Sequence, residues 1–487
     1  MIPLIGYTNA LSFRPGEMVE VKVSSTLNQS YRAELVRIIS GDPNPEGPGM
    51  VFEPVASEFE GKYPSRPQAT HLGSYMAAML TGPLPSAFIL SASIWPTTPN
   101  KPGQGLLVLT NSEGAAILSL EIGPEGVSCE GVSTGTKLER WRWYHLTAEI
   151  DSTMKFVRVV QKKLATDETV TVKGTLSNLF DPNLVAGVRV GTSDPSDRAT
   201  HFNGKIEAPA ISTKDATLAA WDFSQNMSSM TVPGAGPLGG DGRLHGAPAR
   251  AMTGSNWGAV EMDWTREPEQ WGAVHFHDDD IADCGWETDF AFAVPAQLHS
   301  GVYGIKISGG KYWDIMPIFV CPLQDKRTAD ICLVISTFTY VIYTNQARAD
   351  FGKHWRDRAA AWRSFPYNPV DYPNYGLSTY NDHEDGSGIC MATWHRPILN
   401  LRPGYHPFAD KASVSGLRHF PADTHILAWL ENKRIEFDVV TDWELHHEGA
   451  SVLDGYKAIL TTSHPEYHTL GSLNAFRDYR NNGGNLI

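Results

Sequence analysis

The chain has 487 residues, more than one hydrophobic core serves at about 150 residues per domain, so several units are expected. With 41% hydrophobic and 19% charged residues, 44 glycines and 32 prolines, it reads as a globular protein rich in strands and turns, which excludes disordered and collagen-like chains. A formal net charge of −14, from 40 basic against 54 acidic residues, opposes attraction to phosphate backbones and anionic lipid, so neither nucleic acid nor membrane is an expected partner.

The first residues show no basic segment leading into an apolar run, as a secretory signal would. Nothing later approaches the roughly 20 apolar residues of a membrane span. The five cysteines (Cys129, Cys284, Cys321, Cys332 and Cys390) are odd in number and form no CxxC pair, which argues against a disulfide framework or a zinc ribbon. A cytoplasmic setting is the expectation.

In chain order, Val19, Val21 and Val23 alternate with Glu20 and Lys22 after an Arg14-Pro15-Gly16 turn, the period of a half-buried strand, and a second run covers 31–39. Similar strands recur at 290–294, 302–307 and 313–320. Two or three strands cannot stand alone. Residues 1–60 plus 256–322 are therefore expected to form one split immunoglobulin-like β-sandwich. The insertion, 61–255, carries short strands at 87–93, 105–110, 143–150, 156–161 and 186–191, a spacing that argues a second sandwich. Its phrases around His201, Trp221 and Gly242 resemble the closing strands of laminin-G or concanavalin-like jelly rolls.

After Pro322 the texture becomes α/β. The apolar run 331–335 reads as a strand buried on both faces of a parallel sheet. A helix follows near 347–362, then an irregular aromatic-rich stretch over 364–411, long enough to be a functional wall or lid. Asp423 is expected to cap a helix whose Ile426, Trp429 and Leu430 share one face. Strand 435–440, a helix near 445–453, strand 457–461 and helix 470–479 continue the series, and 485–487 begins another strand. Residues 323–487 thus read as an incomplete α/β domain of the class I glutamine amidotransferase type, cut while its βαβ pattern is in progress.

Several tempting motifs weigh toward ordinary structure. Gly234-Ala235-Gly236-Pro237-Leu238-Gly239 fits the dinucleotide fingerprint in letters, but Pro237 denies it the following helix, and a loop is expected. His275-Phe276-His277 followed by Asp278, Asp279 and Asp280 could present metal ligands, yet an exposed strand face running into an acidic turn is the expectation. His446-His447-Glu448 reads as a solvated helix end. Gly388-Ile389-Cys390-Met391-Ala392 lacks the second glycine of a G-x-C-x-G nucleophile elbow, and Cys390 is expected to be a buried, inert thiol.

The strongest constellation is topological, because open α/β sheets bind ligands at the carboxyl ends of their strands. Three such ends lead into Ser336 to Tyr343, into Thr441-Asp442, and into Ser463-His464-Pro465-Glu466-Tyr467. The last puts a base and a carboxylate together at the crevice.

Four phrases, Thr337-Phe338-Thr339-Tyr340-Val341-Ile342-Tyr343, Gly376-Leu377-Ser378-Thr379-Tyr380-Asn381-Asp382-His383, Asn400-Leu401-Arg402-Pro403 and Ser463-His464-Pro465-Glu466-Tyr467, are similar to the large (beta) subunit family of bacterial N,N-dimethylformamidases. The likeness spans the chain, although that family's subunit is longer, so the chain would be an N-terminal portion or shortened variant. The resemblance implies hydrolysis of N,N-dimethylformamide to formate and dimethylamine at a mononuclear iron held by tyrosines and a glutamate. Carried over, Tyr380 and Glu466 are ligands, a further ligand is Tyr340 or Tyr343, and His464 is the base. It also implies a small (alpha) subunit and a hetero-oligomer with two or more large subunits. The chemistry is coherent, since phenolate and carboxylate are hard donors suited to Fe3+. A tertiary amide has no N–H to recognise, so an apolar and aromatic pocket is expected, with Trp394, Phe420 and Tyr467 as wall candidates. Two other classes stand beside this reading: a metal-independent amidotransferase-like hydrolase whose nucleophile lies beyond residue 487, and a noncatalytic carbohydrate-binding protein.

Overall fold

The computed structural model describes residues 1–176, 180–324, 326–348, 351–409, 411 and 414–487. The protein is mostly β, with several antiparallel sheets and one parallel α/β sheet toward the C-terminus. It divides into two compact units, one of 1–70, 283–382 and 392–487, the other of 71–282 and 383–391. Among the described residues no helix is long and apolar enough to cross a membrane.

In the first unit, strands from the start of the chain pair with strands some 270 residues later. Met18–Ser25 lies between Leu4–Thr8 and Phe290–Ala293, and Tyr31–Gly41 lies between Gly301–Gly309 and Met50–Val55. Alternation of Val19, Val21 and Val23 with Glu20 and Lys22 sends the valines into a core shared with Leu35, Phe292, Ile305 and Ile318.

The parallel sheet of this unit has the order Phe437–Thr441, Ile331–Ile335, Ala458–Thr461, Asn485–Leu486. The chain leaves Ile331–Ile335 toward one edge and Ala458–Thr461 toward the other. The crevice between these two strands is therefore the topological switch point, where ligands of such sheets bind. Short helix Thr337–Ile342 follows the first strand directly, where the sequence suggested only a strand end. The described part of the next expected helix is Lys353–Trp362; residues 349 and 350, within its expected start, lie outside the described residues.

Helix Phe420–Lys433 starts four residues earlier than expected, with its cap at His419 rather than Asp423. Pro421 occupies its first turn, where the missing N–H costs nothing. Asp423 is consequently inside the helix and buried rather than its cap. Leu427 and Leu430 face the core, whereas Trp429 is 49% exposed, so the expected face is rotated.

The second unit is two antiparallel sheets enclosing one core that includes Leu90, Leu107, Leu146, Val188, Trp221 and Phe276. It reaches past the boundary expected at 255, because Ala273–Phe276 pairs with Gly204–Ser212. The glycine-rich motif is a turn between Gly234–Ala235 and Gly239–His245, as its proline indicates. Two expectations fail in this unit. Cys390 is exposed rather than buried. His275 and His277, expected on an exposed face, are buried with Asp278 and Asp280, because His383 and Asp385 of the 383–391 segment pack over their rings.

Candidate functional site

Within the first unit the four singled-out phrases converge. Tyr340 and Tyr343 are three residues apart on and at the end of helix Thr337–Ile342, about 60° apart around its axis. Tyr340 turns into the core and its hydroxyl donates to buried Asp423. Tyr343 instead donates to Glu466 Oε2 at 2.7 Å. His464 Nε2 lies 2.7 Å from the same oxygen. Tyr380 stacks on Tyr343, with ring centroids 4.3 Å apart and planes within 9°, and its hydroxyl meets that of Tyr467. Tyr343, Tyr380, Glu466 and His464 are thus brought together, and Tyr340 is not among them.

The backbone segments that carry these groups are tied down by short polar side chains. Thr339 Oγ1 accepts from the N–H of both Glu466 and Tyr467, at 3.1 and 3.2 Å. Asp423 Oδ1 accepts the N–H of Ser463 at 2.7 Å. Ser378 and Thr379 hydroxyls both donate to the carbonyl of Ile342, which ends the helix and fixes Tyr380 beside Tyr343. Asn400 Nδ2 donates to the Tyr343 carbonyl at 2.8 Å, and Arg402 makes a buried two-pronged pair with Asp314 at 2.6 and 3.0 Å. The Asn400-Leu401-Arg402-Pro403 phrase is therefore scaffolding for Tyr343 rather than a part of the cluster.

Electrostatics sort the groups. Burial, with hydrogen bonds to Tyr380 and Glu466, pushes the Tyr343 phenol well above the ordinary tyrosine range. The hydrogen bond from Tyr343, with His464 beside it, holds the Glu466 carboxyl below the usual carboxylate range. Left to itself, then, the pair keeps the proton on the phenol. The Tyr467 phenol is pushed up to about 12, first by its bond to Tyr380.

Sequence reasoning missed His419. Its ring sits 4.4 Å from that of Tyr343 and 5.8 Å from that of His464, and its buried Nε2 has no hydrogen-bond partner. Burial lowers its pKa to about 3, so the ring is neutral. At φ +52° it holds a backbone conformation that non-glycine residues adopt at a cost of about 1–3 kcal/mol, which functional sites tolerate. The available signal was Pro421, which sets the helix start and hence the cap position at His419. Arg418 stacks over the Tyr343 ring at 4.7 Å. Of the wall candidates, Tyr467 joins the cluster, Phe420 is fully buried against Phe319, and Trp394 packs edge-on against Trp443.

Within the second unit lies a group of a different kind. The ligand atoms of His275, His277 and Asp385, and those of His277, Asp280 and His383, lie within 4.8 Å of one another, and all five residues are buried. These buried His/Asp clusters could bind a metal ion.

Comparison with known proteins bears on the whole chain. The family described as N,N-dimethylformamidase beta subunit-like, C-terminal, matches residues 249–487. The N,N-dimethylformamidase beta subunit of Paracoccus aminophilus is 34% identical over 99% of this chain and 70% of its own length. That of an Alcaligenes species is likewise 34% identical, with the same coverage. Among solved structures, a proposed carbohydrate binding protein from Bacteroides ovatus matches at 14% identity and a TM-score of 0.26, over 47% of this chain and 66% of its own, a likeness too low to carry an argument. An identity of 34% over 99% of this chain and 70% of those relatives places it in the N,N-dimethylformamidase beta-subunit family.

Proposed function

We propose that the protein is an amide hydrolase that cleaves N,N-dimethylformamide and similar small formamides to formate and the amine, with a mononuclear Fe3+ held by Tyr343, Tyr380 and Glu466. The observation that carries this reading is the meeting of two phenols and a carboxylate at the switch point of the parallel sheet. The donor set is all hard oxygen and suits a ferric ion better than zinc or copper. Bound there, the ion supplies Lewis acidity that acidifies phenols and water and polarises a carbonyl oxygen.

The chain's own residues do the rest. Glu466 stays ionised, accepting a hydrogen bond from Tyr343 until an ion displaces the phenol proton to solvent, and with Nε2–H of His464 turned to the carboxylate, Nδ1 of that ring is left as the base that takes a proton from water and returns it to the departing amine. The neutral His419 ring and the faces of Tyr380 and Tyr467 offer aromatic surface to the methyl groups of a substrate with no N–H, and Arg418 holds the Tyr343 ring. Tyr340 has no part in the ligand set. The relatives' designation as beta subunits implies an alpha subunit, and we extend the reading to a hetero-oligomer with two or more copies of this chain in the cytoplasm. In fold terms it takes the split sandwich as immunoglobulin-like, the inserted unit as laminin-G-like and the parallel sheet as amidotransferase-like.

Iron content and the phenolate-to-iron absorption band, measured beside formate release, test the proposal. Tyr380→Phe and Glu466→Gln are expected to lose both iron and activity. Tyr340→Phe should keep the iron and the band, and His464→Asn should keep the iron while kcat falls roughly 10²- to 10⁴-fold. Full activity in iron-free protein, or iron and full activity retained by Glu466→Gln, would overturn it.

A further inference from the structure

We infer that the second unit carries its own metal site, separate from the tyrosine cluster: a divalent transition ion of the zinc class held by Nε2 of His275, Nε2 of His277 and Oδ2 of Asp385. His275 and His277 are two apart at the end of strand Ala273–Phe276, so their side chains leave on the same face, with ring centroids 4.0 Å apart. Asp385 comes to them from the 383–391 segment of the same unit. Its Oδ2 lies 3.5 Å from His275 Nε2 and 3.7 Å from His277 Nε2. The first distance joins two buried atoms that have no hydrogen-bond partner, and it is too long for a good hydrogen bond between them. Buried polar atoms are nearly always paired, so two orphans facing one another point to a missing third party.

The surrounding groups set the protonation a metal needs. Asp385 Oδ1 is satisfied by the N–H and hydroxyl of Ser387, at 2.8 and 2.5 Å, which leaves Oδ2 as the oxygen in reserve. Gly386, at φ +86°, makes the turn that allows this. Asp280 Oδ2 lies 3.3 Å from His277 Nδ1 and accepts from Ser74 Oγ at 2.6 Å. His277 Nε2 lies 2.9 Å from Ser387 Oγ, so with the His277 proton on Nδ1 toward Asp280 and the Ser387 proton turned to Asp385, an ion would take the Nε2 lone pair in place of that contact. A carboxylate behind the histidine is the usual support of a metal-ligating imidazole. The overlapping group of His277, Asp280 and His383 is less suited. Its Asp280 Oδ2 already accepts from Ser74 Oγ at 2.6 Å and from the His277 N–H at 3.1 Å, and its His383 is held through Nδ1 by Asp279 at 2.6 Å.

Two imidazoles and one carboxylate favour zinc, iron(II) or cobalt(II) over calcium or magnesium, which prefer all-oxygen sites. A buried ion there would pin the 383–391 segment to the sheet, a structural role.

The test is titration of chelator-treated, full-length protein with Zn2+ and with Co2+, following binding by calorimetry and by cobalt absorption. The iron-site variant Tyr380→Phe serves as the background, so that failure of the tyrosine site and failure of this one are read apart. One equivalent should bind in Tyr380→Phe, and the affinity should fall roughly 100-fold or more when Asp385→Asn or His275→Gln is added. A zinc-edge anomalous peak between His275 and Asp385 in a crystal of the otherwise unmutated protein gives the same answer without relying on the variants' folding. No saturable binding, binding unchanged by Asp385→Asn, or an anomalous peak only at the tyrosine cluster would overturn the inference.

Discussion

Tyr340 and Tyr343 show how much three residues on one helix decide. The phenols diverge by about 60°, and one becomes a buried partner of Asp423 while the other faces Glu466. Sequence spacing could not separate them, because the choice depends on what packs against each face. His419 was invisible for the same reason, since only burial and the neighbouring rings give it meaning. Its ring is kept neutral in the fold, so the unfolded chain binds a proton that the native state refuses. Stability from this residue is therefore present above its ordinary pKa near 6.5 and is lost as pH falls from there toward about 3. Denaturant titrations from pH 7 to 4 should show wild type losing stability with a contribution approaching 1.4 kcal/mol per pH unit from this group, and His419→Gln should show a shallower slope. Equal slopes would mean that His419 protonates freely in the folded protein.

Among elements, helix Phe420–Lys433 is the instructive one. Its apolar spacing announced a helix, but grouping Trp429 with Ile426 and Leu430 by spacing put it on the core face, which Leu427 and Leu430 occupy instead. The structure buries Leu427 to 3% exposure and leaves Trp429 at 49%. Leu427→Ala should cost roughly 2–5 kcal/mol by opening a cavity, whereas Trp429→Ala should stay within about 0.5 kcal/mol, as chemical denaturation of each variant will show. The strands were more legible. Ile331–Ile335 matches its apolar run residue for residue, and Met18–Ser25 follows the valine alternation. The elements read least well were the short helix Thr337–Ile342 and the strand carrying His275. Six residues are too few for a periodicity, and a polar strand looks exposed until the remote segment that covers its face is known.

At the scale of the whole molecule, each unit encloses apolar clusters of its own among the described residues, a large core in the second unit and separate clusters in the first. Unfolding should therefore depart from a single two-state transition. Leu107→Ala, fully buried in the second unit, should lower one calorimetric transition, at a cost of roughly 2–5 kcal/mol, and leave the other and the iron band in place. One transition shifting as a whole would show that the units unfold together. What the sequence alone determined was the order of the layers, because strand period and βαβ alternation are local properties of side-chain patterning. It also singled out the phrases around Tyr343 and Glu466, since a strand's carboxyl end can be read from where its apolar run stops, while Tyr380 came from the long aromatic-rich connection and the family resemblance. Which tyrosine joins the cluster, that Asn400 only supports it, that His419 lines it, and that two histidines and an aspartate 108 residues apart form a buried group were decided by tertiary structure. Each depends on burial and on distances between segments remote in the chain, and no local pattern encodes those.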